Sequence, residues 1–204
     1  MCETSFDADL PEEIDLDEEP GRLQEMLSGA FFEVTCPSCG TVLKPELTVR
    51  VRSRQHGLDL QVVPELERLS FHLNEVETPK GAELLIGYGE LFERARMVKD
   101  GLDPEAVEII KYYLRIKAEE SANEAAEISV SYAGLQGEEE LAGPRKLLFH
   151  ISGIKEGELA VLPIGRDYYG RILADKAKTK KSEPFDRVFK GPYRSIRVLE
   201  AAGE

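Results

Sequence analysis

The chain has 204 residues, 42% of them hydrophobic and 32% charged, with a formal net charge of −13. That apolar share suffices for a folded core, while the acidity argues against a cationic nucleic-acid surface or adhesion to anionic lipid. Three cysteines are too few, and odd in number, for a disulfide scaffold.

The first residues, Met1-Cys2-Glu3-Thr4-Ser5-Phe6-Asp7, are acidic. They have neither a basic n-region nor an apolar h-region and do not read as a secretory signal. No apolar run approaches the ~18 residues of a membrane helix. Free thiols without a disulfide pattern point to a reducing cytoplasm, and no membrane contact is expected. Residues 1–35 hold eleven carboxylates against Arg22 alone. They lack the spacing of a calcium loop and read as a solvated edge.

Taken in chain order, Pro20 to Gly29 predicts a short helix, with Pro20 in its first turn and Gly29 at its stop. Phe31, Phe32 and Val34 suggest a strand running into Cys36. Leu47, Val49 and Val51 alternate with Thr48, Arg50 and Arg52, which predicts another strand. Further strands are expected at 59–63, 69–73 and 83–86. A helix from Tyr88 stops near Gly101. Asp103-Pro104 opens a second one, with Val107, Ile110, Leu114 and Lys117 at helical spacing. The pattern then changes to strands at 128–132, 146–151 and 158–162, the last two joined through the Glu156-Gly157 turn. Asp167 is expected to cap a helix over 168–177. Lys176, Lys178, Lys180 and Lys181 read as an exposed basic link, and 185–199 as a weakly patterned docking segment. The expected architecture is α+β: an N-terminal β unit packed with helices over residues 1–125, then a β/α region over 126–204.

Cys36-Pro37-Ser38-Cys39-Gly40 carries the chemistry. Two thiols separated by two residues bind one metal ion when the backbone curls so that both sulfurs point inward. Pro37 pre-shapes that turn, and Gly40 supplies the dihedral that closes it. Zinc suits paired thiolates, and two further ligands must come from elsewhere. The rival is a redox dithiol, in which the first cysteine sits at a helix N-terminus. Here Gly40, Thr41, Val42 and Pro45 follow, which favours strand–knuckle–strand over helix. An inert buried pair is the third reading.

The segment resembles the bacterial CpXC-domain family, named for two Cys-Pro-x-Cys motifs that together resemble a zinc ribbon. The second motif is intact as Cys36, Pro37, Ser38 and Cys39. The likeness continues through Phe6, Leu10-Pro11, Ile14-Asp15-Leu16, Glu19-Pro20, Leu23, Leu27, Gly29 and Phe31. Downstream it includes Gly101-Leu102-Asp103 and Val107 to Lys111, and it spans roughly residues 2–175. The resemblance implies a metal site and no established enzymatic activity. The first motif is incomplete: Cys2 lines up with its second cysteine, and that cysteine's partner would fall before Met1. Cys2 is thus either a third ligand or a frayed terminal thiol. Water, a carboxylate such as Glu3, or a histidine would complete the set.

His72 and His150 read as strand residues and His56 as a hairpin tip. No catalytic triad or phosphate loop is present. The resulting expectation is a non-catalytic zinc-ribbon-like protein with a protein partner, metal ligands Cys36, Cys39 and Cys2, and zinc as cofactor. The alternatives are a thiol-disulfide oxidoreductase using the Cys36–Cys39 pair, and a nucleic-acid adaptor acting through Lys176–Lys181.

Overall fold

The computed structural model describes residues 2–73, 75–121, 127–136 and 145–202. The fold is α+β, with helices and three separate sheets. It divides into two compact units, Met1–Ala95 and Arg96–Glu204. The change of pattern near residue 125 suggested a later boundary. The division falls earlier because the long helix Pro104–Ser121 packs with the C-terminal strands.

The first unit is built on a four-stranded sheet in the order β1-β4-β5-β6. Its strands are β1 (Glu13–Asp15), β4 (Val49–Ser53), β5 (Leu58–Val63) and β6 (Glu83–Ile86). β4 and β5 form an antiparallel hairpin, and β1 and β6 flank it in parallel. The alternation read in β4 holds: Val49 and Val51 are fully buried. Arg50 and Arg52 point away from the core and pair with Asp59 and Glu13 at 2.9 and 2.6 Å. Leu47 lies outside the strand and is exposed. Helix α1 (Gly21–Ser28) ends at Gly29 and buries Met26.

Two local expectations are corrected. Phe31 and Phe32 do not form a strand. Successive strand residues face opposite sides, whereas both rings enter one core, stacked at 4.2 Å and almost fully buried. A turn with Phe32 at φ 58° achieves this. Residues 69–73, His72 included, are not a strand but part of helix α2 (Arg68–His72) after a 3₁₀ turn at Glu65–Glu67. Arg68 is held by partners in this unit. Arg68 pairs with Glu65 and Glu90 and donates to the Ile86 carbonyl at 3.0 Å, while Leu66, Leu69 and Leu73 stay exposed.

The 54–57 turn that carries His56 is anchored by Asp17. Its carboxylate accepts from Ser53 Oγ at 2.5 Å, from Arg54 N at 2.9 Å and from Gln55 N at 3.3 Å. The Ser53 hydroxyl, seconded by the two backbone donors, holds the Asp17 carboxyl below its ordinary value. A carboxyl lowered in the folded state adds stability above its unfolded pKa of ~4, and that stability is lost as pH falls through the lower folded value. Asp17→Asn is therefore expected to flatten the acid limb of the unit's stability curve, read as a smaller difference in Tm between neutral and acidic buffer than in the parent.

After helix α3 (Tyr88–Lys99), which starts at Tyr88 as expected, α4 (Pro104–Ser121) of the second unit also starts as expected, the Asp103 carboxylate accepting the Ala106 N–H at 2.9 Å. Val107, Ile110, Leu114 and Ala118 pack against an antiparallel sheet. That sheet is β7 (Ser129–Gln136), β8 (Lys146–Ser152) and β9 (Leu159–Gly165). β8 shows the period of two: Leu147, Phe149 and Ile151 are buried. Helix α5 (Arg166–Thr179) begins before Asp167, with Gly165 at its cap, so Asp167 lies in the first turn and is not the cap.

The lysine run is only partly free. Lys176 Nζ pairs with Asp103 at 2.5 Å, and Lys180 Nζ with Glu105 at 2.6 Å. Burial raises the Glu105 carboxyl, but Lys180 and Lys176 outweigh it and leave it below its ordinary value. The terminal segment docks as read: Phe185, Val188, Tyr193 and Ile196 are buried.

Gly153, after β8, has φ +90°, and a Cβ there would collide with the carbonyl oxygen of Glu127. Both effects act together, so Gly153→Ala is expected to destabilise this unit by more than ~1 kcal/mol in chemical denaturation.

Candidate metal centre

A short antiparallel ribbon, β2 (Val34–Thr35) with β3 (Val42–Leu43), holds the Cys36–Gly40 turn at its tip. The turn closes on itself. Cys36 N donates to Thr41 O, and Gly40 N donates to Cys36 O, each at 2.9 Å. Gly40 sits at φ 71°, the left-handed conformation that a side chain would strain. Cys36 thus lies between two strands and not at the start of a helix. This is the strand–knuckle–strand arrangement expected from Gly40, Thr41 and Val42.

Sequence spacing could not decide whether Cys2 joins this turn. In the structure the sulfurs of Cys2, Cys36 and Cys39 all lie within 4.8 Å of one another. Cys36 is buried; Cys2 and Cys39 are exposed. Among the described residues, no carboxylate or imidazole joins the three sulfurs at this distance, so Glu3, His56, His72 and His150 are not brought into the cluster. His56 occupies the β4–β5 turn, and His150 lies in β8 opposite Val161.

Two threonines near the sulfurs escaped the sequence reading. Cys2 Sγ lies 3.1 Å from Thr4 Oγ1, and Cys39 Sγ lies 3.2 Å from Thr41 Oγ1. The signal was a repeated spacing, Cys2-x-Thr4 and Cys39-x-Thr41. Hydrogen bonds from the Thr4 side chain and backbone, then from Cys39 and Ser38, bring the Cys2 thiol down to about 6. Thr41, through its side chain and then its backbone, lowers the Cys39 thiol in the same way. A thiol already biased towards thiolate loses less to proton competition when it binds a metal. The cluster is therefore a possible metal site.

The CpXC protein family matches residues 1–111, a stretch that includes all three cysteines. The chain belongs to the CpXC family. A protein from Treponema pallidum (strain Nichols), described as an uncharacterized protein, is 27% identical over 217 residues, an alignment covering 96% of this chain and 94% of the relative. No solved structure matches. The family match ends inside α4, whereas the alignment to the Treponema protein runs through nearly the whole chain. The C-terminal unit is thus shared with a relative although the family match does not reach most of it.

Elsewhere, a cleft of about 310 Å³ in the C-terminal unit is lined by Tyr113, Leu114, Lys117, Pro163, Ile164 and Tyr168, among others. It contains neither cysteine nor histidine and does not compete with the cluster as a metal site. Among the described residues no helix is long and apolar enough to cross a membrane.

Proposed function

We propose that this CpXC protein is a non-catalytic, cytoplasmic zinc protein that works through a protein partner. In this reading Cys36, Cys39 and Cys2 hold the metal, and the metal organises the N-terminal knuckle. The observation that carries the reading is the convergence of three sulfurs within 4.8 Å. Tetrahedral zinc with Zn–S bonds of about 2.3 Å places its sulfurs ~3.8 Å apart, so only a small contraction separates the cluster from a coordinated set. Thiolate softness favours zinc over magnesium or calcium, which take oxygen ligands. A fourth ligand from outside the cluster completes the site.

Freshly isolated protein, prepared under metal-replete and reducing conditions, is expected to carry zinc at up to one ion per chain, and to lose it readily to a chelator because two of the three sulfurs are exposed. Elemental analysis tests this, and zinc-free protein under those conditions overturns it. The thiol-exchange alternative makes the opposite demand. Metal-stripped protein would reduce insulin at a rate comparable to a thioredoxin, and Cys36→Ser would abolish that turnover. Metal ligands on a non-helical turn are expected to give no such activity.

A further inference from the structure

Among the described residues, β9 is a free edge of the C-terminal sheet, whose order is β7-β8-β9. Its residues, Leu159-Ala160-Val161-Leu162-Pro163-Ile164-Gly165, carry no charge. Uninterrupted apolar runs of this kind belong to strands covered on both faces. This one is not covered: Leu159 is 57% exposed, Val161 53% and Leu162 39%. The pairing with β8 shows that the exposure is two-sided. Leu162 lies beside the buried Phe149, and Val161 beside the neighbouring His150 on the other face. Soluble proteins ordinarily protect such an edge with charges or proline; no residue within this strand supplies a charge, and Pro163 removes a single donor.

We propose that β9 pairs with β9 of a second copy of this chain, antiparallel about a two-fold axis at Leu162, joining the two C-terminal sheets into one. The charges that bracket the strand select this occupant and direction. Glu158 precedes it and Arg166 follows it. An antiparallel pairing centred on Leu162 brings Glu158, just before the strand, near Arg166, which opens α5 just after it, of the second copy at both ends, whereas a parallel pairing sets like charges together. The interface is self-complementary, as a two-fold dimer requires. Pro163 fits it at the cost of one donor per copy. A proline is accepted in an edge strand where its nitrogen faces outward, and in this register it lies opposite Val161, whose N–H donates to the Pro163 carbonyl. Leu162 then gains Leu162 of the second copy as a lateral neighbour, and Val161 gains Pro163.

The test is the mass of the purified full-length protein by size exclusion with light scattering, across a dilution series up to ~100 μM. A dimer is expected. Val161→Lys and Leu159→Lys are expected to give monomers whose near-ultraviolet circular dichroism matches the parent, since both side chains are exposed and neither belongs to the core. Glu158→Arg and Arg166→Glu are each expected to weaken the dimer about tenfold, since each reversal creates two like-charge contacts, and their combination to restore it. A monomer throughout the series overturns the proposal, including the case in which a different protein covers β9. A dimer that survives either lysine substitution, or charge reversals without mutual rescue, overturns it as well.

Discussion

Glu108→Ala is expected to destabilise the Arg96–Glu204 unit by about 3–5 kcal/mol, the scale for removing one partner of a buried ion pair. Glu108 and Lys111 lie one turn apart on α4 and are 5% and 3% exposed. Lys111 Nζ sits 2.6 Å from Glu108 Oε1, and Glu108 Oε2 accepts the Ile196 backbone N–H at 2.9 Å. One carboxylate therefore balances a buried ammonium and fastens the terminal segment to the helix. The alanine variant leaves the ammonium without this counter-charge and the Ile196 donor without its acceptor. Glu108→Gln keeps the acceptor and loses only the charge, so a smaller loss is expected. Near-ultraviolet circular dichroism during urea unfolding reads this unit selectively. The chain has no tryptophan, and of its seven tyrosines Tyr88 alone lies outside the unit. An unfolding midpoint within error of the parent in Glu108→Ala would show that the pair contributes nothing.

Cys36→Ser and Cys39→Ser are expected to abolish metal binding, and Cys2→Ser only to weaken it. The β2–β3 ribbon delivers Cys36 and Cys39 together, so their sulfurs meet with little loop closure. Cys2 lies outside that ribbon, so its loss leaves the two knuckle sulfurs in place. At zinc 100-fold above its Kd the bound ion stabilises the fold by about 2.7 kcal/mol, and each tenfold loss of affinity removes ~1.4 kcal/mol of that. The measurement is the difference in Tm between zinc and chelator. It is expected to be largest in the parent, reduced in Cys2→Ser and absent in the two knuckle variants. Four proteins with identical melts in both conditions would remove any structural role for the metal.

Much of this protein was legible in its sequence, wherever the determinants are local. The Asp103-Pro104 start of α4, the period of two in β4 and β8, and the left-handed Gly40 that closes the knuckle depend on residues within a few positions of each other. The family resemblance rested on the same kind of signal, an intact Cys-Pro-Ser-Cys. The tertiary structure decided the remainder, because those features are set by partners far along the chain. The apolar residues at 69–73 looked like a strand. They became a helix with its leucines outward because Arg68 reaches Glu90 and the Ile86 carbonyl. Phe31 and Phe32 left the extended conformation because one core takes both rings. Lys176 and Lys180 looked like a free basic link until Asp103 and Glu105, some 70 residues earlier, took them as partners. Cys2 was undecidable by spacing, since a terminal cysteine joins a distant turn only through the fold of the intervening chain. Sequence alone thus determined which residues could bind a metal, and the folded chain decided that the third of them stands beside the other two.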